Sequence, residues 1–505
     1  SFTVLSSDIL GRIYEIFLAE KLAVVDGELK IVKKPENAER DIVTTPNFVV
    51  REILHQTAAE IIQGKTANEI NNLKCADIAC GSGAFLLELY QLLYDSLVDY
   101  YFENDRSKLV QTSIDTYKLP YEMKRNLLVN CIYGVDKDFN AVEACKFGLL
   151  LKLLEDEDVN SLSSFHPILP DLSNNIFYGN SLLSTADVPA DDAFEINPFD
   201  FGDRTFDLIV GNPPYMKTED IKAFTPKEKS LYEKGNRYTS AYKQYDKYFL
   251  FIERALNLLK PDGYLGYVVP NKFMKVGAAK ELRNFIANNA YLKTMISFGA
   301  HQVFADKSTY TCIIVLEKNK HENFKYSEVS DFIGWRVRNV NAYKFCDRPS
   351  VTINADTWIL CTDEHLPLLN AVTAHTKPLG DIVGDDYIFN GIQTSANKIY
   401  VFVPISETRT TYTFKAFDGN EYEVEKAVTK PYFKTAQGAD AMSTYRTFKP
   451  NARVFFPYKK DNDGHLQLIP LTTIQRRYPL FYTFLMAAKP ELNKASRDIQ
   501  PKPTT

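Results

Sequence analysis

Four times between residues 75 and 215 a short apolar run breaks off in a small or polar turn. Cys75-Ala76-Asp77-Ile78-Ala79 runs into Cys80-Gly81-Ser82-Gly83, and 131–135 stops at Asp136. Residues 175–178 meet Gly179-Asn180-Ser181, and 206–210 meet Gly211-Asn212-Pro213-Pro214-Tyr215. Segments of helical period, 85–101 and 142–154, follow the first two. Short apolar runs without alternation read as strands buried on both faces, and strands separated by helices must run parallel, because the chain crosses back before the next one starts. The expected fold class is therefore α/β, a doubly wound, mostly parallel sheet. In such a sheet the carboxyl ends of the strands share one edge, so the four polar turns gather along one crevice. The alternation continues with a helix at 248–259, a strand at 264–269, a helix at 278–288 and strands at 292–298 and 310–316.

Before this pattern, 9–22 is apolar at helical period, and Thr44-Thr45-Pro46 caps a second helix running to Ile62 with proline in its first turn. Residues 102–130 read as a polar helical excursion. After about residue 347 the texture changes to short β-type runs with frequent Pro, Gly and Thr. The layout expected is a helical segment at 1–70, the main α/β domain at 71–345, a linker at 346–376 and a mixed α+β domain at 377–505. The chain starts at Ser1 and stops in Pro501-Lys502-Pro503-Thr504-Thr505 straight after a helix-like segment, so a piece of a longer protein is expected, its last domain cut short.

Charge follows the same division. The net charge is −5, but residues 376–505 carry 18 basic and 13 acidic side chains against 41 and 51 before them. A mildly basic module on an acidic body suits a polyanionic partner, although charge alone decides little. The longest apolar stretches, such as 149–154, fall well short of the roughly 18 residues that a membrane span needs, so no membrane partner is expected. Seven cysteines, an odd number without a CxxC pair and without a signal-peptide pattern, point to a reduced, cytoplasmic protein; no metal is expected, as the histidines lack ligand spacing.

The chemistry lies in the turns. Glycines at 81 and 83 let backbone N–H groups approach a ligand where a strand turns into a helix. A dinucleotide site would want a third glycine, but position 86 is Leu, and an acid about 20 residues on, whereas Asp136 lies 53 residues beyond Gly83. Asp136 is still placed to accept from two ribose hydroxyls, so the pattern suits a nucleoside without a pyrophosphate. In Asn212-Pro213-Pro214-Tyr215 two prolines stiffen the turn, letting the Asn212 oxygen and a proline carbonyl point at one amino group. Tyr215 adds a flat face for a planar base. Such a site accepts both protons of a planar NH₂ and presents its lone pair to an electrophile.

Together, Asp77 to Phe85, Asp136, Asn180 and Asn212 to Tyr215, preceded by Thr45-Pro46, resemble the S-adenosylmethionine-dependent DNA adenine-N6 methyltransferases of the γ arrangement. The likeness is closest to the Taq-type enzymes and the methyltransferase half of fused type IIG restriction-modification enzymes. It extends to Leu10-Gly11-Arg12-Ile13-Tyr14-Glu15, to 258–273, and to Gly391-Ile392-Gln393-Thr394 with Ala396-Asn397-Lys398. The resemblance implies a Rossmann-like methyltransferase domain followed by a partial DNA-recognition domain, S-adenosylmethionine as cofactor and double-stranded DNA as partner. Thr45, Pro46, Asp77, Ala79, Cys80, Gly81, Gly83 and Phe85 would surround the methionine and ribose. Asp136 with Lys137 would hold the ribose hydroxyls, and Asn180, Ser181 and Leu182 the cofactor adenine. Asn212 and Pro213 would bind the target N6, Pro214 would stiffen the turn, Tyr215 would stack on the flipped base, and Phe304 would cover its other face.

For DNA the candidates are Lys217, Lys227, Lys229, Lys234 and Arg237, in a stretch 217–247 with eight basic residues, five acidic ones and interleaved tyrosines, read as a flexible loop closing over the extruded base. Gln393, Thr394 and Lys398 are the candidates in the C-terminal part. The same tetrapeptide also suits a protein glutamine or an RNA guanine amino group, and an idle DNA-specificity subunit is the non-enzymatic rival. No PD…(D/E)xK nuclease pattern is present, so a nuclease is expected only upstream in a parent protein or on a partner subunit.

Overall fold

The computed structural model describes residues 20–25, 28–33, 45–304, 309–337, 343–384, 394, 396–433, 450–461 and 466–495. Most of the segment expected as a first helix lies outside these residues. Its end does not: 20–22 is strand, part of an antiparallel hairpin of Glu20–Val25 with Glu28–Lys33. The second helix is there but broken, as Asn47–His55 and Ala58–Ile62.

Nine strands form the central sheet: β1 (Cys75–Asp77), β2 (Ile132–Asp136), β3 (Ile176–Tyr178), β4 (Phe206–Gly211), β5 (Leu259–Pro270), β6 (Leu292–Ser297), β7 (Thr311–Glu317), β8 (Asn323–Glu328) and β9 (Cys346–Pro349). Their order is β3-β2-β1-β4-β5-β7-β6-β8-β9. β1 to β5 pair in parallel, β7 runs antiparallel between β5 and β6, and β9 closes the far edge antiparallel to β8. Strand order reverses at β1, so the crevice between the carboxyl ends of β1 and β4 is the switch point where such sheets hold ligands.

Successive residues along the strands divide between two apolar clusters. Ala76, Ile209, Tyr267 and Met295 join one, and Cys75, Leu208, Val210, Val268 and Ile296 the other. Side chains alternate across a pleated strand, so these are the two faces of one sheet, both covered. α1 (Ala84–Asn104) and the helix at Asn47–His55 supply the second cluster, while α4 (Lys247–Leu258) supplies Tyr248, Phe249 and Ile252 to the first. α2 (Phe139–Leu154) starts at Asp138, whose carboxylate accepts from the N–H groups of Asn140 and Ala141.

Three expectations need correction. Residues 102–130 are not a helical excursion: α1 runs on to Asn104, an exposed hairpin of Val110–Ser113 and Thr116–Lys118 follows, and a helix, Tyr121–Cys131, leads into β2. Two strands, β8 and β9, were not anticipated. Nor is 346–376 simply a linker, because it opens with β9, and Trp358 is buried in the first cluster with its backbone N–H on the Met274 carbonyl at 2.9 Å and its indole Nε1 on the Asn354 carbonyl at 2.7 Å. The division into two compact units falls between Ala374 and His375. The second unit is α+β. Its small sheets and the helices Leu471–Arg477 and Pro479–Ala495 share a core of Phe402, Phe414, Phe455, Phe481 and Phe484. Among the described residues no helix is long and apolar enough to cross a membrane.

Candidate active site at the carboxyl edge of the sheet

β1 delivers Asp77 to the crevice almost wholly buried, its Oδ1 accepting the Ala79 N–H at 3.0 Å. β4 ends beside it at Gly211. A Cβ there would stand 2.7 Å from Asp77 Oδ1, so only glycine lets the two strand ends approach. Burial, opposed by the Ala79 N–H and reinforced by Asp136, pushes the Asp77 carboxyl up to about 8. At the end of β2, Asp136 Oδ2 accepts from Gly81 N at 2.8 Å and Oδ1 from Asp138 N at 2.8 Å. Burial raises its pKa too, against the pull of those N–H groups. Each carboxylate oxygen keeps a second lone pair for a ligand hydroxyl.

The turn after β1 is shaped by left-handed glycines. Gly81 has φ +53°, and a Cβ added to it would meet nothing within 4 Å, leaving open space beside Asp136. Gly83, at φ +93°, is packed instead: its Cβ would fall 2.6 Å from Cys145 Sγ. Gly83→Ala is therefore expected to cost roughly 1–3 kcal/mol of stability through overpacking and backbone strain, read as a lower urea midpoint. An open glycine beside one buried and one half-buried carboxylate fits a nucleoside that carries a cation and a ribose diol.

The Asn212 turn reaches this cradle. Its Nδ2 donates to Thr45 Oγ1 at 3.0 Å across 167 residues of chain, which ties the carboxamide to the residue before Pro46. Thr45 is buried, and Pro46 holds the extended N-cap position of Asn47–His55, so that helix fixes the anchor. Pro213 is buried and Pro214 half-buried. Tyr215 is half-buried on the first face; its hydroxyl donates to the Val268 carbonyl at 3.0 Å, and its ring meets Tyr248 edge-on at 6.0 Å. Beyond β3, Asn180 Oδ1 accepts the Leu182 N–H at 3.1 Å, and Ser181 Oγ donates to the Ile78 carbonyl at 2.6 Å. The structure thus gathers Thr45, Asp77, Asp136, Asn180 and Asn212 at one edge.

Several expected residues sit differently. Phe304 is buried in the second cluster with Phe298 and Trp335, on the face opposite Tyr215, and offers no free ring face to a base. Phe85 is likewise a core side chain, and Leu182 is wholly buried. Cys80 serves the turn through its backbone, donating to Val135 O at 3.0 Å and accepting from Gly83 N at 2.9 Å; a hydrogen bond with Cys145, together with burial, pushes its thiol up. The Lys137 ammonium turns onto Glu228.

The supposed flexible basic loop is ordered. It folds as Thr218–Phe224 and α3 (Pro226–Glu233), with Tyr232, Tyr238 and Tyr245 buried in the first cluster. Lys227 pairs with Asp192 and Glu195, Lys229 with Glu233, and Arg237 with Asp187, while Lys217 and Lys234 are exposed. Sequence reasoning passed over Glu228 and Arg254 and read Tyr232 and Tyr238 only as tyrosines of a loop over the extruded base, whereas all four touch residues expected at the cofactor. Glu228 and Tyr232 stand four apart on one helix face, a spacing visible in the sequence but hidden among the lysines. In the second unit Thr394 and the exposed Lys398 line a cleft of about 720 Å³ with Phe417, Asp418 and Glu491; Gln393 lies outside the described residues.

Residues 130–304 match the family model described as Eco57I restriction-modification methylase. Along its whole length the chain is 48% identical to the type II restriction enzyme and methyltransferase RM.Eco57I of Escherichia coli, of which it spans 50%. The type II methyltransferase M.BstVI of Geobacillus stearothermophilus is 25% identical over 79% of this chain and 64% of its own length. Among solved structures, the type IIG restriction endonuclease BpuSI aligns with 99% of this chain and 50% of that one, at 14% identity and a TM-score of 0.44.

Proposed function

We propose that the chain, similar over residues 130–304 to the Eco57I restriction-modification methylases and spanning half of the relative to which it is 48% identical, is an S-adenosylmethionine-dependent DNA methyltransferase acting on N6 of an adenine flipped out of the duplex. The observation that carries this reading is the junction of the two half-sites. The Asn212 turn is tied to Thr45 and backs, through Gly211, onto Asp77, so an amino group held by the turn lies beside a cradle suited to a nucleoside cation.

The cofactor, when bound, supplies a methyl group already activated on a sulfonium. Asp77 would face that positive charge, Asp136 would accept from the ribose hydroxyls, and Asn180 would meet the cofactor adenine. Asn212 Oδ1 and the Pro213 carbonyl accept the two protons of the target N6, localising a lone pair that is otherwise delocalised into the ring. Tyr215, its hydroxyl tied to Val268, presents its ring to the flipped base, whose extrusion costs a few kcal/mol. Positioning and polarisation suffice, so no general base is needed.

Double-stranded DNA is the substrate, and base-edge contacts fall to the unit that begins at His375, with Thr394 and Lys398 at its cleft. Phosphate contacts near the target fall to the exposed Lys217 and Lys234 rather than to Lys227, Lys229 and Arg237, whose charges are matched by carboxylates. The setting is a restriction-modification system in the cytoplasm, with restriction supplied by a nuclease elsewhere in the protein or on a partner subunit. Single-molecule sequencing of DNA from a bacterial host with and without the expressed chain tests the reading: N6-methyladenine at one recurring sequence is expected only with the chain, and its absence at every sequence would reject it.

A further inference from the structure

We propose that Tyr232 and Glu228, on the helix after the catalytic turn, are positioning residues for the cofactor's adenine: a directed hydrogen-bond relay locks the Asn180 carboxamide with its oxygen available to the 6-amino group of the bound nucleoside. The inference rests on the nucleoside site proposed above and goes beyond it to what reads the base.

The direction of each bond is fixed by chemistry. The Leu182 N–H, 3.1 Å from Asn180, can meet only the amide oxygen, which assigns the other end of the carboxamide as nitrogen. That nitrogen lies 3.4 Å from the Tyr232 hydroxyl. The hydroxyl proton is committed elsewhere, donating to Glu228 Oε2 at 2.8 Å, so the phenol oxygen receives the Asn180 N–H. Burial works to raise the Glu228 carboxyl, but the ammonium groups of Lys247 and Lys137 outweigh it and hold it down at about 2. Glu228 is thus an acceptor at every working pH, and the polarity runs one way from it to Asn180.

An aspartate at position 180 would need no such device, because either oxygen accepts. An asparagine reads an amino group only if it is kept from flipping. Its oxygen retains a second lone pair beyond the one given to Leu182 N–H. The loop itself is braced from the segment after α3 and from α4: Tyr238 donates to the Leu182 carbonyl at 2.6 Å, and Arg254 Nε to the Ser181 carbonyl at 3.1 Å. Asn180, Tyr232 and Glu228 are 4%, 0% and 4% exposed, so water does not compete for these bonds.

The test is calorimetric binding of S-adenosylhomocysteine and of its deaminated 6-oxo counterpart, S-inosylhomocysteine, to the full chain. The wild type is expected to prefer the 6-amino form by about tenfold or more. Tyr232→Phe, which removes the acceptor of the Asn180 amide N–H and leaves the Leu182 N–H alone to orient the carboxamide, should bring the preference to within about threefold, and adding Asn180→Asp should restore it. If Tyr232→Phe fails to fold by circular dichroism, Glu228→Gln, which lets an amide N–H face the phenol oxygen, is read by the same ratio and is expected to lower it. A wild type that binds neither ligand would overturn the functional reading and the relay with it. A wild type with the expected preference that the folded variant retains would overturn the relay alone.

Discussion

Asn212→Ala is expected to lower the rate of methyl transfer by about a hundredfold or more while leaving equilibrium binding of S-adenosylmethionine within a few-fold of the wild type. The carboxamide is held by its hydrogen bond to Thr45, and its oxygen is one of the two acceptors assigned to the target amino group. Alanine removes the acceptor without touching Asp77, Asp136 or the glycine turn, so the cradle survives. Losing the Thr45 bond adds a stability cost of about 1 kcal/mol, too small to unfold a domain of this size. Single-turnover transfer to a DNA duplex, set beside calorimetric binding, separates the two effects. A variant with wild-type turnover would remove Asn212 from the chemistry.

Asp77→Asn should move stability and binding in opposite directions. In the chain without ligand the buried Asp77 carboxyl is pushed up to about 8 from an ordinary value of 3.8, so at neutral pH the folded state holds a proton that the unfolded state releases. That contribution is fully present below the unfolded value, declines as pH rises from about 4, and is lost once pH passes 8. Asparagine is neutral throughout and its oxygen can still accept the Ala79 N–H. The variant should match the wild type near pH 4 and exceed it by a widening margin up to pH 8, with roughly 5 kcal/mol as an upper bound. Affinity for a sulfonium cation should fall in the same variant, because the charge that faces the cation is gone. Urea titrations at pH 5 and pH 8 check the first half and calorimetry the second; an unchanged pH slope would show that Asp77 is ionised in the free chain.

What the sequence disclosed followed from how strongly a local pattern constrained the backbone. The strands at 75, 132, 176 and 206 were legible because each couples a buried apolar run to a small or polar turn. β8 (NFKYSE) and β9 (CDRP) gave no such signal, since strands near a sheet edge are short and polar and their pairing is decided by distant chain. The exposed hairpin at 110–118 was hidden for the same reason. The bond between Thr45 and Asn212 could be anticipated only by resemblance, because no spacing rule spans 167 residues. In the segment 217–247 composition misled: lysines and tyrosines together suggested a wet loop, whereas the tyrosines face the core and most of the cations named for DNA meet carboxylates. Phe304 failed in a similar way, an aromatic read as a base platform that the fold uses to fill the opposite face.

The central claim is that this edge moves a methyl group onto the amino nitrogen of adenine in DNA. The most direct measurement is to incubate the chain with duplex DNA and S-adenosylmethionine labelled in its methyl group, digest the DNA to nucleosides and identify the labelled product by mass spectrometry. Label in N6-methyldeoxyadenosine, lost in Asn212→Ala, is the predicted result. Label on a cytosine nucleoside, or no label in DNA from a chain shown by calorimetry to bind both the cofactor and the duplex, would contradict it.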